Sequence, residues 1–456
     1  MVARAAPASA AQYFAHYAEP EVALAQRLDE AYLAALVVPV RGEAPALLDG
    51  FRGALERAPG RVLVVLVVNA TDSASVFTHA ENLRLLDYLA AHFPEQRAIC
   101  HPDSKTRGVL GHADQYDVLW LDCATVGARL PERTGVGSVR KLGGDLAAAM
   151  WVRGQLACPR VASTDADVTL PDDYFATLVR DEPEAQRSAA WLWPFHHRPG
   201  GDGAIDAATV LYEISLRYYV LGLASAHSPY AYQTVGSTLC IDVPAYLSVR
   251  GFPKREAGED FHVLDKLAKV APLRRVESSA LGIRARASDR VPFGTGRRSR
   301  EIAELSAAGQ AFVLYAPEVF GALGAVIAGL DAFARSAQVD AFDQEITARA
   351  PLLAPTVREI LAGLGLYLAL QESAQQAPPG PVLRRRVHTW FNALRTLRFV
   401  HGLRERGLSS LPWRDALSSS PFIQGPFADG LEPSAVCRAL SMAETALPAQ
   451  VGPTLL

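Results

Sequence analysis

The stretch AALVVPVRGEAPALLDGFRGALERAPGRVLVVLVVNATDS, residues 34–73, decides the fold of this chain. Residues 34–40 and 61–68 are continuous apolar runs rich in valine, a pattern typical of strands buried on both faces of a parallel sheet. The segment between them has a helical pattern, so the stretch predicts one βαβ unit. Polar loops follow each run, at 41–45 and 69–73, and open α/β sheets bind ligands at such strand ends.

The same alternation continues along the chain. Further strands are predicted at 116–122 (YDVLWLD), 160–164 (RVAST) and 236–242 (GSTLCID), with helical stretches between them. Beyond residue 288 the sequence predicts helices and no convincing strand. We therefore expect a Rossmann-like α/β domain with a mostly parallel sheet at 33–290, preceded by an N-terminal helical extension at 1–32 and followed by an all-helical C-terminal region at 291–456.

The composition excludes several classes of protein. The chain has 456 residues and a net charge of −3, so no global field attracts nucleic acid or an anionic membrane, and any anion site must be local. The arginines of 384–406 are interpreted as a solvated helix face. Five scattered cysteines without a C-x-x-C pair favour a reducing cytoplasm. The longest apolar candidate, 319–330, is too short to span a bilayer, so no transmembrane segment is expected.

Two carboxylates, Asp165 and Asp167, directly follow the predicted strand at 160–164. Mg²⁺ and Mn²⁺ typically take one or two protein carboxylates and fill their other positions with water and substrate phosphate oxygens. This D-x-D motif therefore suits a divalent cation bound with a phosphorylated substrate. The competing interpretation is an ordinary turn, because aspartate is common in turns and D-x-D also occurs by chance.

A second pair of acids, Glu259 and Asp260, stands at the start of a predicted helix. A carboxylate presented there can act as a general base that deprotonates an acceptor hydroxyl. Both are candidate catalytic residues, and Asp260 is preferred. The alternative is capping of the helix, whose N-terminus favours negative charge.

Five motifs, in this order, resemble those of the family 2 glycosyltransferases: VVPVRGE at 37–43, VVNATDS at 67–73, GVGSVRKLGG at 135–144, STDADVTLP at 163–171 and GEDFHVLDKL at 258–267. The resemblance spans roughly residues 33–290. It implies a GT-A fold, a nucleotide-diphosphate sugar as donor and a divalent metal, Mg²⁺ or Mn²⁺, as cofactor. The acceptor stays open: a sugar, a lipid, a protein or a small molecule.

The resemblance also implies roles for individual residues. The first two loops would bind base and ribose, and two basic residues that follow a glycine would face the phosphates. Asp165 would contact ribose or sugar, and Asp167 the metal. Asp260 would be the catalytic base, which implies inversion by single displacement. The nucleotide-sugar site so assigned comprises Pro39, Arg41, Glu43, Asn69, Asp72, Arg140, Lys141 and Asp165, and the metal site Asp165 and Asp167.

The sequence departs from the family pattern at two places. Asn69 stands where many members have an acidic residue, so it supplies no charge for recognition of the base. A Q-x-x-R-W signature does not follow Asp260, which disfavours a processive polymerase and favours transfer of a single sugar.

Two further segments carry open interpretations. His197, next to His196, is a further candidate metal ligand, and the alternative is a polar loop. Residues 284–300 are basic and contain flexible glycines, so they would either fold over a diphosphate or link two domains.

Three other functions fit parts of this pattern. A sugar nucleotidyltransferase also uses sheet-borne carboxylates and a metal, but the loop at 41–45 has only one glycine and so lacks a phosphate-binding loop. A glycoside hydrolase needs two carboxyl groups at a defined separation, which a sequence does not establish. A non-catalytic nucleotide-sugar-binding scaffold would recruit partners through the helical region.

Overall fold

The structure, a computed structural model, describes residues 9–183, 186–288, 294–425 and 430–456. The first eight residues of the expected N-terminal extension lie outside the described part. The expected domain boundary at 290 and the middle of the basic loop at 284–300 fall on 289–293, which are also outside it.

The described residues form fifteen strands, which are β1 (Ala34–Val40), β2 (Val62–Asn69), β3 (Gln96–Ile99), β4 (Arg107–His112), β5 (Tyr116–Cys123), β6 (Arg160–Ser163), β7 (Val168–Thr169), β8 (Ala190–Leu192), β9 (Phe195–Arg198), β10 (Leu239–Asp242), β11 (Leu273–Arg275), β12 (Leu281–Arg284), β13 (Val313–Leu314), β14 (Leu411–Pro412) and β15 (Gln450–Val451).

Ten of these strands build the central sheet, in the order β15-β11-β8-β10-β6-β1-β2-β5-β4-β3. Following the pairings from strand to strand, seven run in one direction, and only β4, β10 and β15 run against them. The prediction of a mostly parallel sheet is confirmed. A smaller sheet has the order β7-β12-β9, and β13 pairs with β14.

The helices alternate with the strands in the first part of the chain and follow one another in the last. They are α1 (Ser9–His16), α2 (Arg52–Glu56), α3 (Val76–His92), α4 (Val136–Val152), α5 (Tyr174–Leu178), α6 (Gly203–Ser225), α7 (Val243–Ser248), α8 (Glu259–Leu267), α9 (Thr295–Ala307), α10 (Glu318–Ser336), α11 (Val339–Arg349), α12 (Ala354–Gly363), α13 (Leu366–Gln376), α14 (Pro381–Trp390), α15 (Ala393–Glu405), α16 (Trp413–Ser419) and α17 (Pro433–Thr445). Short 3-10 helices cover Pro20–Arg27, Pro45–Gly50, Gly236–Thr238 and Pro453–Leu455.

The central sheet is covered on both faces, which explains its continuous apolar strands. Side chains alternate across β1: Ala35 and Val37 belong to the core that contains α4, while Leu36 and Val38 belong to the core that contains α3 and α5. Helix α4 lies very close to the sheet, because a Cβ on Gly143 would stand only 2.4 Å from a Val37 methyl carbon. This close approach packs the middle of α4 directly on the middle of β1.

The helical region shares its cores with the α/β part. Leu223 and Ala226 at the end of α6 pack in one core with α10 to α15, and Ile214 and Tyr218 of the same helix pack in another with α9 and α17. Helix α10 is the one described helix long and apolar enough to cross a bilayer, and 67% of that stretch is buried inside the protein, as in a core helix.

The expectation of an all-helical C-terminal region is wrong in detail. Strands β13 and β14 form a short antiparallel pair there, and β15 joins the edge of the central sheet beside β11. These strands are two residues long, too short for hydrophobic periodicity to reveal them. Residues 450–451 thus add an edge strand to a sheet whose centre is formed by residues 34–69.

Candidate active site

The loops that follow four parallel strands meet at one edge of the central sheet. Strands β2, β1 and β6 are neighbours and parallel, and β5 continues the set beyond β2. Along the chain, β2 and β5 follow β1 on one side of it, and β6 is then added on the other side. Open α/β sheets bind ligands in the crevice at such a switch point. Glu43 follows β1 there, and Asp165 and Asp167 follow β6.

Arg140, in the second turn of α4, joins three segments at this edge. Its side chain is 3% exposed. The guanidinium donates from Nη1 to Ser163 Oγ at 2.7 Å, from Nη2 to Asp165 Oδ1 at 2.6 Å and from Nε to Glu259 Oε1 at 2.9 Å. Because the guanidinium is a rigid planar fork, these three bonds fix β6, α4 and α8 relative to one another.

Glu259 is a buried partner of this arginine. Its side chain is 4% exposed, and its carboxylate accepts a hydrogen bond from Arg140. The catalytic role predicted for Glu259 beside Asp260 stays a prediction, and in the structure the carboxylate of Glu259 pairs with Arg140 at 2.9 Å.

Arg286 bridges the two sides of the crevice. Its Nη1 contacts both carboxylate oxygens of Glu43, at 2.7 and 3.0 Å, and its Nε lies 2.7 Å from Asp167 Oδ2. Arg286 belongs to the basic segment 284–300 that was expected to cover a diphosphate. The described part of this segment therefore contacts the candidate site through Arg286, a residue that no sequence motif singled out.

Asp260 stands in the first turn of α8 beside Arg140. Burial raises the pKa of Asp260 to about 7, and the charges of Glu259 and Asp165 also raise it, against the Phe261 amide hydrogen bond and the charge of Arg140. One carboxylate oxygen, Oδ1, accepts the Phe261 N–H at 2.7 Å. A base whose pKa lies near neutrality combines a useful deprotonated fraction with the ability to take a proton.

Asp167 is electrostatically unfavourable as a free carboxylate. Burial raises its pKa to about 6; the charges of Asp165 and Glu43 add to this, and Arg286 opposes it. A divalent cation would relieve the repulsion between these oxygens, and the chemistry of two neighbouring carboxylates suits Mg²⁺ or Mn²⁺. Within the described ranges no group of three or more His, Cys, Asp or Glu side chains forms a ready metal cage. Asp165 and Asp167 match the one or two protein carboxylates that Mg²⁺ or Mn²⁺ typically takes, with water and substrate oxygens completing its shell.

The two glycines of the GVG motif, Gly135 and Gly137, let the segment before α8 pack closely on the start of α4. A Cβ on Gly135 would stand 2.0 Å from Glu256 Cα, and one on Gly137 would stand 2.3 Å from the Pro253 carbonyl oxygen. Only glycine leaves room for the segment before α8 to pack directly on the start of α4. The close packing at Gly135 and Gly137 brings Glu259 of α8 next to Arg140 of α4.

Gly236 has a similar role on the far side of the arginine. A Cβ there would lie 2.8 Å from Arg140 Nη2 and 3.4 Å from Asp260 Oδ2. From the sequence, Gly236 is predicted only as the beginning of the strand 236–242. Tyr212 of α6 is a further neighbour that no motif indicated: burial raises its pKa, a hydrogen bond with Thr295 lowers it, and the charge of Asp260 raises it.

Two expected nucleoside contacts have other partners. The Asn69 amide donates to the carbonyl oxygens of Val40 and Val67, at 2.8 and 3.1 Å, so it ties the ends of β1 and β2 together. The Asp72 side chain is 80% exposed and pairs with Arg129 at 2.8 Å. Pro39, Arg41 and Glu43 do lie at the end of β1 and in its loop, as expected.

Lys141, which is predicted to face phosphates, has other partners in the structure. Its Nζ donates to Tyr13 Oη at 2.7 Å and to Asp145 Oδ2 at 3.0 Å, and Tyr246 also donates to Asp145. Its side chain is 5% exposed. Consecutive residues of a helix point about 100° apart, so Arg140 and Lys141 leave α4 in different directions. Lys141 instead anchors the N-terminal helix α1.

His197 is buried in a network of its own. Its Nδ1 lies 2.7 Å from Glu213 Oε2, its side chain is 2% exposed, and its Nε2 has no hydrogen-bond partner among the described residues. Tyr212 packs against its ring at 6.5 Å between centroids. The neighbouring residue His196 is exposed, but partial burial of its ring lowers its pKa. The proposed role of His197 as a metal ligand stays a prediction.

Comparisons with known proteins give little further guidance. No protein-family model matches the sequence, and no curated protein matches it. Among solved structures, the chain is similar to the mannosyltransferase PcManGT from Pyrobaculum calidifontis in complex with GDP-Man and Mn²⁺, with 14% identity over 96% of this chain and 98% of that one and a TM-score of 0.30. A TM-score this low does not establish a common fold, so this likeness supports no statement about function.

Proposed function

We propose that this protein is a glycosyltransferase that moves a sugar from a nucleotide-diphosphate donor to an acceptor hydroxyl. The observation that carries the proposal is the convergence of Glu43, Asp165, Asp167 and Asp260 on two buried or half-buried arginines at the switch point of the sheet. These acids come from three distant segments of the chain. Stability alone does not favour such a cluster, because it raises the pKa of two of its members.

On the donor side, Asp165 and Asp167 would hold the divalent cation, Mg²⁺ or Mn²⁺. When bound, such a cation neutralises the diphosphate leaving group. Arg140 fixes the orientation of Asp165 by a hydrogen bond, and Arg286 supplies a second positive charge between Glu43 and Asp167. The loop with Pro39, Arg41 and Glu43 would bind the nucleoside.

On the acceptor side, Asp260 would be the general base. The acceptor oxygen attacks the anomeric carbon, the bond from that carbon to the diphosphate breaks, and the hydroxyl proton passes to Asp260. A single displacement of this kind inverts the anomeric configuration. The raised pKa of Asp260 supports the assignment, since its carboxylate is a stronger base than an ordinary aspartate.

The first test is a thermal-shift panel of nucleoside diphosphates and their sugar conjugates, with and without Mn²⁺, on wild type and Asp167→Ala. A ligand that binds the native state raises the melting temperature. A Mn²⁺-dependent shift for one base, lost in the variant, supports the proposal and identifies the donor class. The matched control is Asp172→Ala, which removes an exposed carboxylate paired with Arg57.

Turnover then separates the competing functions. A transferase releases a nucleoside diphosphate from the sugar conjugate, a nucleotidyltransferase releases pyrophosphate from a nucleoside triphosphate, and a scaffold binds without either product. Product NMR decides the stereochemistry, and retention of configuration would overturn the role given to Asp260.

A further inference from the structure

The helices α14 and α15 form the most basic part of the helical region. Residues 381–406 contain seven arginines and one acidic residue, Glu405, so their net charge is 7 − 1 = +6 in a chain whose total charge is −3. The proposed transfer reaction uses none of these residues. Their charge therefore needs a separate explanation.

A groove of about 480 Å³ lies along α14. It is bordered by α13 on one side and by the end of α8 on the other. Its lining contains three basic residues, Lys269, Arg385 and Arg386, and a single carboxylate, Glu372. Lys269 is paired with Asp265 at 2.8 Å. The groove thus carries net positive charge.

The two groove arginines have only neutral hydrogen-bond partners among the described residues. Neighbouring Arg384 is neutralised by Asp331, with contacts of 2.8 and 3.0 Å. Arg385 donates to the carbonyl oxygen of Lys269 at 3.3 Å, and Arg386 donates to the side-chain oxygen of Gln376; both of these partners are neutral. In the described part of the chain, neither guanidinium lies within ion-pair distance of a carboxylate.

Exposed apolar side chains occur on both helices that line the groove, α13 and α14. Val382, which lines it, is 69% exposed, and Leu368, one turn before Glu372 on α13, is 63% exposed. Trp390 lines it too, with the Arg395 guanidinium 3.9 Å from its ring centroid. Exposed aliphatic groups beside unpaired arginines and a tryptophan are typical of protein surfaces that lie in a membrane interface.

We infer that this groove and its rim dock on the surface of an anionic lipid bilayer. The phosphate of a lipid headgroup contacts Arg385 and Arg386, while Val382 and Leu368 contact the boundary of the acyl chains. A soluble phosphate compound would account for the two arginines but would leave the aliphatic side chains exposed to water. This inference does not depend on the proposed sugar transfer.

The test is co-sedimentation of the full chain with phosphatidylcholine vesicles that contain or lack phosphatidylglycerol, at two salt concentrations. We expect binding only to the anionic vesicles and weaker binding at high salt, because the attraction is screened. Arg385→Gln/Arg386→Gln should bind about thirtyfold more weakly, since each basic residue near the surface contributes about 1 kcal/mol and about 1.4 kcal/mol is tenfold. Val382→Asp should also bind more weakly.

The matched control is Arg297→Gln/Arg349→Gln, which removes the same charge from two exposed arginines that are paired with Glu301 and Glu345. Wild type that stays in the supernatant with anionic vesicles overturns the inference. Equal loss of binding in the control and the groove variant also overturns it, because attraction would then be general. A thermal shift with glycerol phosphate, without vesicle binding, would replace the membrane by a soluble phosphate ligand.

Discussion

Replacing the proposed base by its amide, Asp260→Asn, tests the electrostatics of the site without knowledge of the substrate. The amide has the shape of the protonated acid but cannot ionise. The variant should therefore be close to wild type in stability where Asp260 is protonated, and more stable where the folded wild type must hold the charged carboxylate.

The size of this effect follows from the raised pKa. Asp260 has a pKa of about 7 in the folded protein and an ordinary value of 3.8. The stability contributed by the bound proton is fully present below 3.8 and is lost as the pH rises through 7. Between pH 5 and pH 8, wild type loses about 2–3 kcal/mol that the variant keeps. With roughly 2 cal/mol/K of unfolding entropy per residue over 456 residues, this is about 3 °C in melting temperature.

The assay is the melting temperature of both proteins from pH 5 to pH 8. The difference, variant minus wild type, should grow with pH, whereas Asp172→Asn, which alters an exposed ion pair with Arg57, should show no such trend. If the Asp260→Asn difference is the same at both ends of the range, Asp260 has an ordinary pKa and loses its support as the base. With the donor identified, sugar transfer by Asp260→Asn should fall by at least about a hundredfold.

Three further changes test other parts of the site. Asp167→Asn should abolish the Mn²⁺ dependence of nucleotide binding in the thermal-shift assay, and unchanged dependence would remove the metal from this carboxylate. Gly236→Ala, whose Cβ would stand 2.8 Å from Arg140 Nη2, should lower turnover at least about tenfold with little change in far-UV circular dichroism. Lys141→Met should cost about 3–5 kcal/mol, because it leaves the buried Asp145 carboxylate without a cation. Adding Asp145→Asn should restore part of this loss in the melting curve; no restoration would contradict the buried pair.

The sequence by itself determined the parallel centre of the sheet and the end of that sheet at which the acids of the candidate site meet. The valine-rich runs at β1 and β2 do not alternate apolar and polar residues, so neither face of these strands suits contact with water. Such strands are stable in a sheet that is covered on both faces. Acids that directly follow parallel strands are carried to one edge by that topology. For this reason Glu43, Asp165 and Asp167 lie where the motifs placed them.

Only the tertiary structure decided which side chains contact one another within the candidate site. The pairing of Arg140 with Glu259 joins residues 119 positions apart, and Arg286 reaches Glu43 across 243 positions, contacts that no local pattern encodes. The direction of each side chain was equally hidden. Lys141 follows Arg140 in the motif, yet the rotation of one residue along α4 turns it into the buried cluster around Asp145.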